Sequence, residues 1–147
     1  MSAQQDIVVH AARWIGTPYH HRASVLGAGA DCLGLICGIW RARYGALPQS
    51  VPDYSPSWAE SGPDELLWHA LIRHFRATDR SEDGQVLLFR LQAHALAKHL
   101  GVQCDAGRAF IHACPRAGVV KAPLSDPWAR RIVARFAFPP LTTEPED

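Results

Sequence analysis

Cys32 stands directly after Asp31, where the chain passes from a polar, glycine-containing stretch into Cys32-Leu33-Gly34-Leu35-Ile36-Cys37-Gly38-Ile39-Trp40. That change marks the first turn of an apolar helix. The unpaired N–H groups and positive dipole end of a first turn favour a thiolate over a neutral thiol. A free thiol of pKa about 8.5 is only a few per cent ionised at neutral pH, and a helix N-terminus with a nearby imidazole can bring it to ~7 or below. The chemistry open to such a group is attack on a carbonyl through an acyl-thioester. The bland reading of a buried cysteine is a small core residue. Cys37 fits it: five residues on, it lies about 140° round the helix and shares nothing of the first turn.

A cysteine nucleophile needs a base. In Ala97-Lys98-His99-Leu100-Gly101-Val102-Gln103-Cys104, strand alternation sends Leu100, Val102 and Cys104 to one face and His99 with Gly101 to the other. With the apolar set in the core, His99 is expected on the accessible face, beside a glycine that leaves room for a substrate backbone. Arg108-Ala109-Phe110-Ile111-His112-Ala113 follows after the short turn Asp105-Ala106-Gly107, so the two strands form a hairpin. Pairing Cys104 with Gly107 sets His99 opposite His112, whereas a three-residue loop sets His99 opposite Ala113; the sequence leaves that register open. Neighbouring or diagonal, the two imidazoles can hydrogen-bond, and His112 can then fix the tautomer and angle of His99 as Asp or Asn does in other triads.

The elements that must hold these groups follow from periodicity. Gln5 to Ile15 places Ile7, Val8, Ala11, Ala12 and Ile15 at helical spacing before Gly16-Thr17-Pro18 stops the run. Residues 20–30 read as a surface loop bordering the site. The second helix takes Asp31 as N-cap and ends at Arg41, Arg43 and Gly45. Leu47 to Pro63 carries four prolines with Tyr54 and Trp58 between them, an ordered loop packed by aromatics. Pro63-Asp64-Glu65 opens a third helix, with Leu67, Leu71, Ile72 and Phe75 on one face, ending near Arg76. Strands follow at Gln85–Leu91, Ala97–Cys104, Arg108–Ala113, Gly118–Ala122 and Arg131–Phe138. Helices first and short strands after make an α+β protein, N-terminal helices packed on a mainly antiparallel sheet of five to six strands. One domain is expected over residues 1–138, with 139–147 a flexible tail.

Composition narrows the function classes. At 147 residues and 48% apolar content, a chain can bury roughly 70% of its unfolded surface without disulfides or a structural metal. Fifteen basic and 14 acidic residues leave a net charge of +1, which removes the simplest argument for nucleic-acid binding. The longest quiet run, Gly27 to Trp40, is broken by Asp31 and falls short of the ~18 apolar residues of a membrane span. The first six residues lack the basic patch and apolar stretch of a secretory signal. No CxxC is present and His94 with His99 has no partner pair at finger spacing, so neither metal nor cofactor is expected. Without a secretory route the thiols are expected free; a Cys104–Cys114 bridge is conceivable and not predicted. His10, His69, His74 and His94 default to surface or packing roles, His20 and His21 to an exposed loop, and Arg13, Trp14 and Trp40 to helix surface and packing.

Three motifs together resemble those of the NlpC/P60 papain-like cysteine peptidases, which cut cell-wall peptides. Gly16-Thr17-Pro18-Tyr19 is similar to the family's first motif and Asp31-Cys32-Leu33-Gly34-Leu35 to its nucleophile motif. His99-Leu100-Gly101-Val102 and Phe110-Ile111-His112-Ala113 are similar to its His and orienting-residue strands. The resemblance spans about residues 5 to 113 in matching order, and any one motif alone would be weak. It implies a papain-like fold in which Cys32 attacks a peptide carbonyl, His99 takes and returns the proton, and His112 orients His99. Tyr19 and Asp31 would border the substrate, although N-capping alone also explains Asp31. The Cys32 backbone N–H is the candidate oxyanion donor. The implied substrate is a peptidoglycan stem peptide, cut between D-glutamate and a diamino acid. Leu33 departs from the usual Ser, and His20-His21-Arg22 replaces the apolar residues and glycines usual after the tyrosine.

The Asp31-to-Leu35 motif with Trp40-Arg41 and Tyr44-Gly45 after it resembles the phage-tail branch, gene-transfer-agent tails included. That implies assembly in the bacterial cytoplasm, a place at the tail tip of a phage-like particle, and tail hub or tail-tip proteins as partners, with no direct nucleic-acid binding and no membrane insertion. Two other readings stay open: a structural tail subunit that keeps the fold with little activity, and an intracellular amidase or acyl-transfer enzyme using the same thioester step.

Overall fold

The computed structural model describes residues 2–51 and 65–141. Tyr54, Trp58, Pro63 and Asp64 of the expected third-helix start, and the tail from 142 lie outside the described residues.

The first helix, α1 (Ala3–Ala12), begins earlier than its apolar periodicity because Ser2 and Gln5 make a reciprocal cap. Ser2 Oγ accepts from the Gln5 N–H at 3.1 Å and Gln5 Oε1 from the Ser2 N–H at 2.9 Å. It also ends earlier, so Ile15 is exposed and Trp14 takes the inward position, its ring lying over Gly38, where a Cβ would meet Cζ2 at 2.0 Å. Residues 20–30, expected as a plain loop, contain the short hairpin β1 (Ser24–Val25) and β2 (Gly29–Ala30). The second helix, α2 (Cys32–Tyr44), is capped by Asp31 and ended by Gly45 at φ 93°. The third, α3 (Leu66–His74), leads into β3 (Arg76–Thr78), an edge strand the sequence did not announce.

The remaining strands are β4 (Val86–Phe89), β5 (His99–Cys104), β6 (Ala109–Cys114), β7 (Gly118–Pro123) and β8 (Ile132–Ala137). A four-residue helix, α4 (Asp126–Ala129), sits before β8 with proline in its first turn. The sheet has the order β3-β8-β4-β5-β6-β7, every neighbour antiparallel. Its main core holds Ile7 and Ala11 of α1, Leu35 and Ile39 of α2, Leu67 and Leu71 of α3, and Leu100, Val102 and Ile111 of the sheet. The other face carries a smaller cluster of Leu87, Phe89 and Phe110, with Leu124, Trp128 and Ile132 packed against it. Val86 to Phe89 is therefore buried on both sides and reads as one unbroken apolar run.

The β5–β6 register is neither of the two expected. Val102 pairs with Ile111 and Cys104 with Ala109, which makes the connection four residues long. Asp105, Ala106 and Gly107 all take left-handed φ (55°, 55° and 81°), a conformation costly for the first two. The Asp83 carboxylate holds it by accepting the Ala106 and Gly107 N–H groups at 2.7 and 2.9 Å. The register brings His99 and His112 together diagonally on one face.

Candidate active site

The helix end that carries Cys32 is built by Asp31, which is buried. Its Oδ1 accepts the Gly34 N–H at 2.7 Å and its Oδ2 the Arg22 N–H at 2.8 Å, with His21 Nδ1 at 3.9 Å. One carboxylate thus caps α2 and holds Arg22 in its left-handed conformation, φ 65°. The close approach requires a glycine: a Cβ at Gly34 would stand 1.8 Å from the Ala23 carbonyl oxygen. Gly16 N–H donates to the Val119 carbonyl at 3.0 Å and Val119 N–H to the Thr17 carbonyl at 2.9 Å, tying the Gly16-to-Tyr19 turn to β7. Tyr19 bridges to Ala30 beside Asp31 and Cys32. Burial, then the charges of Asp31 and Cys32, raise its phenol.

Cys32 is half-buried, and its thiol donates to the Lys98 carbonyl at 3.5 Å rather than to an imidazole. The expectation of a resting thiolate does not hold. Burial first, then the Asp31 charge, push the thiol up to about 12, while backbone N–H groups of Leu100, Leu33 and Cys32 itself pull the other way. The first-turn effect has the expected direction and is outweighed by desolvation.

The imidazoles meet as the sequence allowed. His99 Nε2 and His112 Nδ1 are 2.8 Å apart, rings 85° to one another. Gly101 is what lets β6 come so near: a Cβ there would meet the Phe110 ring at 2.7 Å and His112 Cβ at 3.5 Å. The face that carries them is not open as expected. Phe89, Phe110 and Trp128 cover it, and His112 is buried. Burial, then the charges of His112 and Lys98, bring His99 down to about 3, and burial brings His112 down to about 4. Both rings are neutral at neutral pH.

The structure therefore brings together two groups along the start of β5: Cys32 with Asp31 and Tyr19 on the helix side, and His99 with His112 on the other. The Cys32 sulfur hydrogen-bonds the backbone carbonyl of Lys98, the residue before His99. Three neighbours were missed. His21 lies beside Asp31; Cys114 Sγ is 3.3 Å from His112 Nε2; Trp128 lies 5.6 Å from the His99 ring and 5.3 Å from His112. Ser125-Asp126-Pro127 was the available signal for the short helix that presents Trp128. Cys37 lines an apolar cavity of about 420 Å³ between α2 and α3 together with Leu33 and Trp40. All four cysteines are free. Among the described residues no group of three His, Cys, Asp or Glu could hold a metal, and no helix is long and apolar enough to cross a membrane.

No family model matches the chain, and no curated protein does. Solved structures do. The NlpC/P60 domain of the peptidoglycan hydrolase SagA covers 93% of this chain, which in turn spans all of it, at 17% identity and a TM-score of 0.59. An NlpC/P60 family protein from Bacillus cereus ATCC 10987 covers 95% of this chain at 19% identity and a TM-score of 0.65. A lipoprotein-like member of the family from Staphylococcus aureus subsp. aureus Mu50 covers 91% at 19% identity and a TM-score of 0.57. This chain spans only about two fifths of those last two, 41% and 40% respectively. At such identities the likeness is one of fold: the α+β architecture is that of NlpC/P60 domains.

Proposed function

We propose that the protein is a cysteine endopeptidase acting on peptidoglycan stem peptides, with Cys32 as nucleophile, His99 as base and His112 as the residue that orients it. The observation that carries this reading is the 2.8 Å contact between His99 Nε2 and His112 Nδ1, on the strand whose first residues the Cys32 thiol touches. With Nε2 engaged, Nδ1 is the His99 nitrogen left to take a proton. For Nδ1 to be the base, Nε2 carries the hydrogen and donates to His112 Nδ1, and His112 then carries its own hydrogen on Nε2. In the reaction the Cys32 sulfur bonds to the peptide carbonyl carbon as its proton passes to His99. The departing amine takes that proton back, and water releases the acyl group from sulfur. The Cys32 backbone N–H supports the developing oxyanion. The first step begins from neutral thiol and neutral imidazole, so substrate must draw the sulfur from the Lys98 carbonyl toward His99.

Tyr19 and Asp31 border the substrate in this reading, and the scissile bond joins D-glutamate to a diamino acid. The known hydrolase among the proteins of like fold supports a wall substrate. We place the enzyme at the tail tip of a phage-like particle, assembled in the bacterial cytoplasm and held by tail hub or tail-tip proteins, on the strength of the Asp31-to-Leu35 motif and the segment after it. A second reading, a structural tail subunit of little activity, draws on the protonated Cys32 and its bond to Lys98. The test is incubation of wild type and Cys32→Ser with defined stem peptides, products read by mass spectrometry. Cleavage at the D-glutamyl bond by wild type alone is the result expected; none by either favours the structural subunit.

A further inference from the structure

Trp128 is the largest group against the two imidazoles, and it reaches them from an element that contributes nothing else to the site. Its ring centroid lies 5.6 Å from His99, 5.3 Å from His112, 5.3 Å from Phe89 and 5.1 Å from Phe110. Phe89 flanks His99 at 5.7 Å, and Phe110 flanks His112 at 4.2 Å. The imidazoles thus sit in an aromatic box on the sheet face opposite α1 and α2. Two walls of that box are strand residues whose burial the sheet itself ensures. The third, partly buried Trp128, stands on a helix of four residues. Backbone bonds fix this helix: Leu124 N–H to the Arg108 carbonyl at 2.9 Å, Arg131 N–H to the Trp128 carbonyl at 3.0 Å, and Arg90 N–H to the Arg131 carbonyl at 2.9 Å. The Arg131 guanidinium lies 5.9 Å from the Trp128 ring centroid.

We propose that Trp128 is a positioning residue that closes the outer face of the His99–His112 pair, keeping water from the two rings and holding them in their mutual bond. The inference rests on the catalytic reading for its purpose and on the ring geometry alone for its content. A ring nitrogen shielded from water holds its proton poorly, so this wall keeps His99 in the unprotonated form a base requires. The charged and titratable groups around the pair are Cys32 from α2 with Asp31 beyond it, Lys98 on the strand of His99, Cys114 on β6, and Arg131 behind Trp128; β4 presents the uncharged Phe89. Among the described residues, the hydrogen-bond partners seen at the two rings are each other and the Cys114 sulfur. Solvent exclusion is therefore the lever that Trp128 controls.

The test titrates the imidazoles by NMR from pH 8 downward in wild type, Trp128→Phe and Trp128→Ala, with His99→Gln and His112→Gln spectra assigning the signals. In wild type both rings stay neutral through pH 5. In Trp128→Ala at least one midpoint rises toward 6.5, about tenfold or more in protonation equilibrium, and Trp128→Phe restores wild-type behaviour. A folded Trp128→Ala that titrates like wild type overturns the proposal. So do wild-type midpoints near 6.5. Should Trp128→Ala lose its near-ultraviolet dichroism, Trp128→Leu carries the same comparison, with a smaller rise expected and no rise overturning it. The acid limb of stem-peptide cleavage must move with the NMR midpoints. Wild type that cleaves nothing but titrates as stated removes the catalytic reading and leaves the role of Trp128 standing. Active wild type with an unshifted Trp128→Ala removes only the latter.

Discussion

The two faces of β5 are both buried and are buried for opposite purposes. Toward the helices it presents Leu100, Val102 and Cys104, packed by α1 and α2 into the main core. On the other side His99, Gly101 and Gln103 meet aromatic rings and charged groups: His99 bonds His112, and Gln103 accepts from Arg135 at 2.6 Å and donates to Asp83 at 3.2 Å. The first face is satisfied by any close-fitting hydrocarbon. Every polar atom on the second needs a named partner, because an unpaired buried group costs about 1–3 kcal/mol. A strand that alternates these two demands holds an imidazole within a hydrogen-bonded pair while a helix brings a thiol to the same end of the strand.

The sharpest break of that comparison is at the thiol itself. Cys32→Ala is expected to lower stem-peptide cleavage by about 10³-fold or more, with the thermal midpoint unchanged, as read by product assay and melting curve. His99→Ala should cost about 10²- to 10⁴-fold, and His112→Ala less, since it acts through His99; equal loss at both would make the pair a single unit. Gly34→Ala attacks the helix side: its methyl would lie 1.8 Å from a backbone oxygen, an overpacking of the kind that costs about 1–3 kcal/mol, visible as a lower denaturation midpoint together with lost activity.

The polar face also has a pH signature. His99 and His112 fall to about 3 and about 4 in the folded chain, against about 6.5 unfolded. Between those values the unfolded chain binds more protons, so stability falls as pH drops below about 6.5 and continues to fall toward 4. Melting curves at pH 7, 6, 5 and 4 should show the decline, and His112→Gln should flatten it. Cys37→Ala, in the apolar cavity, is the smallest effect, with cleavage retained.

What the sequence made legible was set by local rules. Asp31 as cap, Cys32 in the first turn and Gly45 at the end follow from helix chemistry within a few residues, and α2 has those features. The hairpin strands were visible from alternation. Their register was not, because it depends on Asp83, some 20 residues upstream, holding a left-handed turn. The edge strand β3 depends on pairing with β8, more than 50 residues away. The thiolate expectation failed because a sequence shows a helix terminus but not how deeply it is buried. Trp128 escaped notice for the same reason: its contacts are long-range, on a face that alternation alone labelled exposed.

The account stands on Cys32 as the atom that bonds to substrate. Acid quench of the protein with a stem peptide during turnover, followed by intact mass and peptide mapping, reads that bond directly. The account predicts an acyl adduct on the peptide containing Cys32, absent from Cys32→Ser. An adduct on Cys37 or Cys114, or turnover that persists in Cys32→Ser, would contradict it.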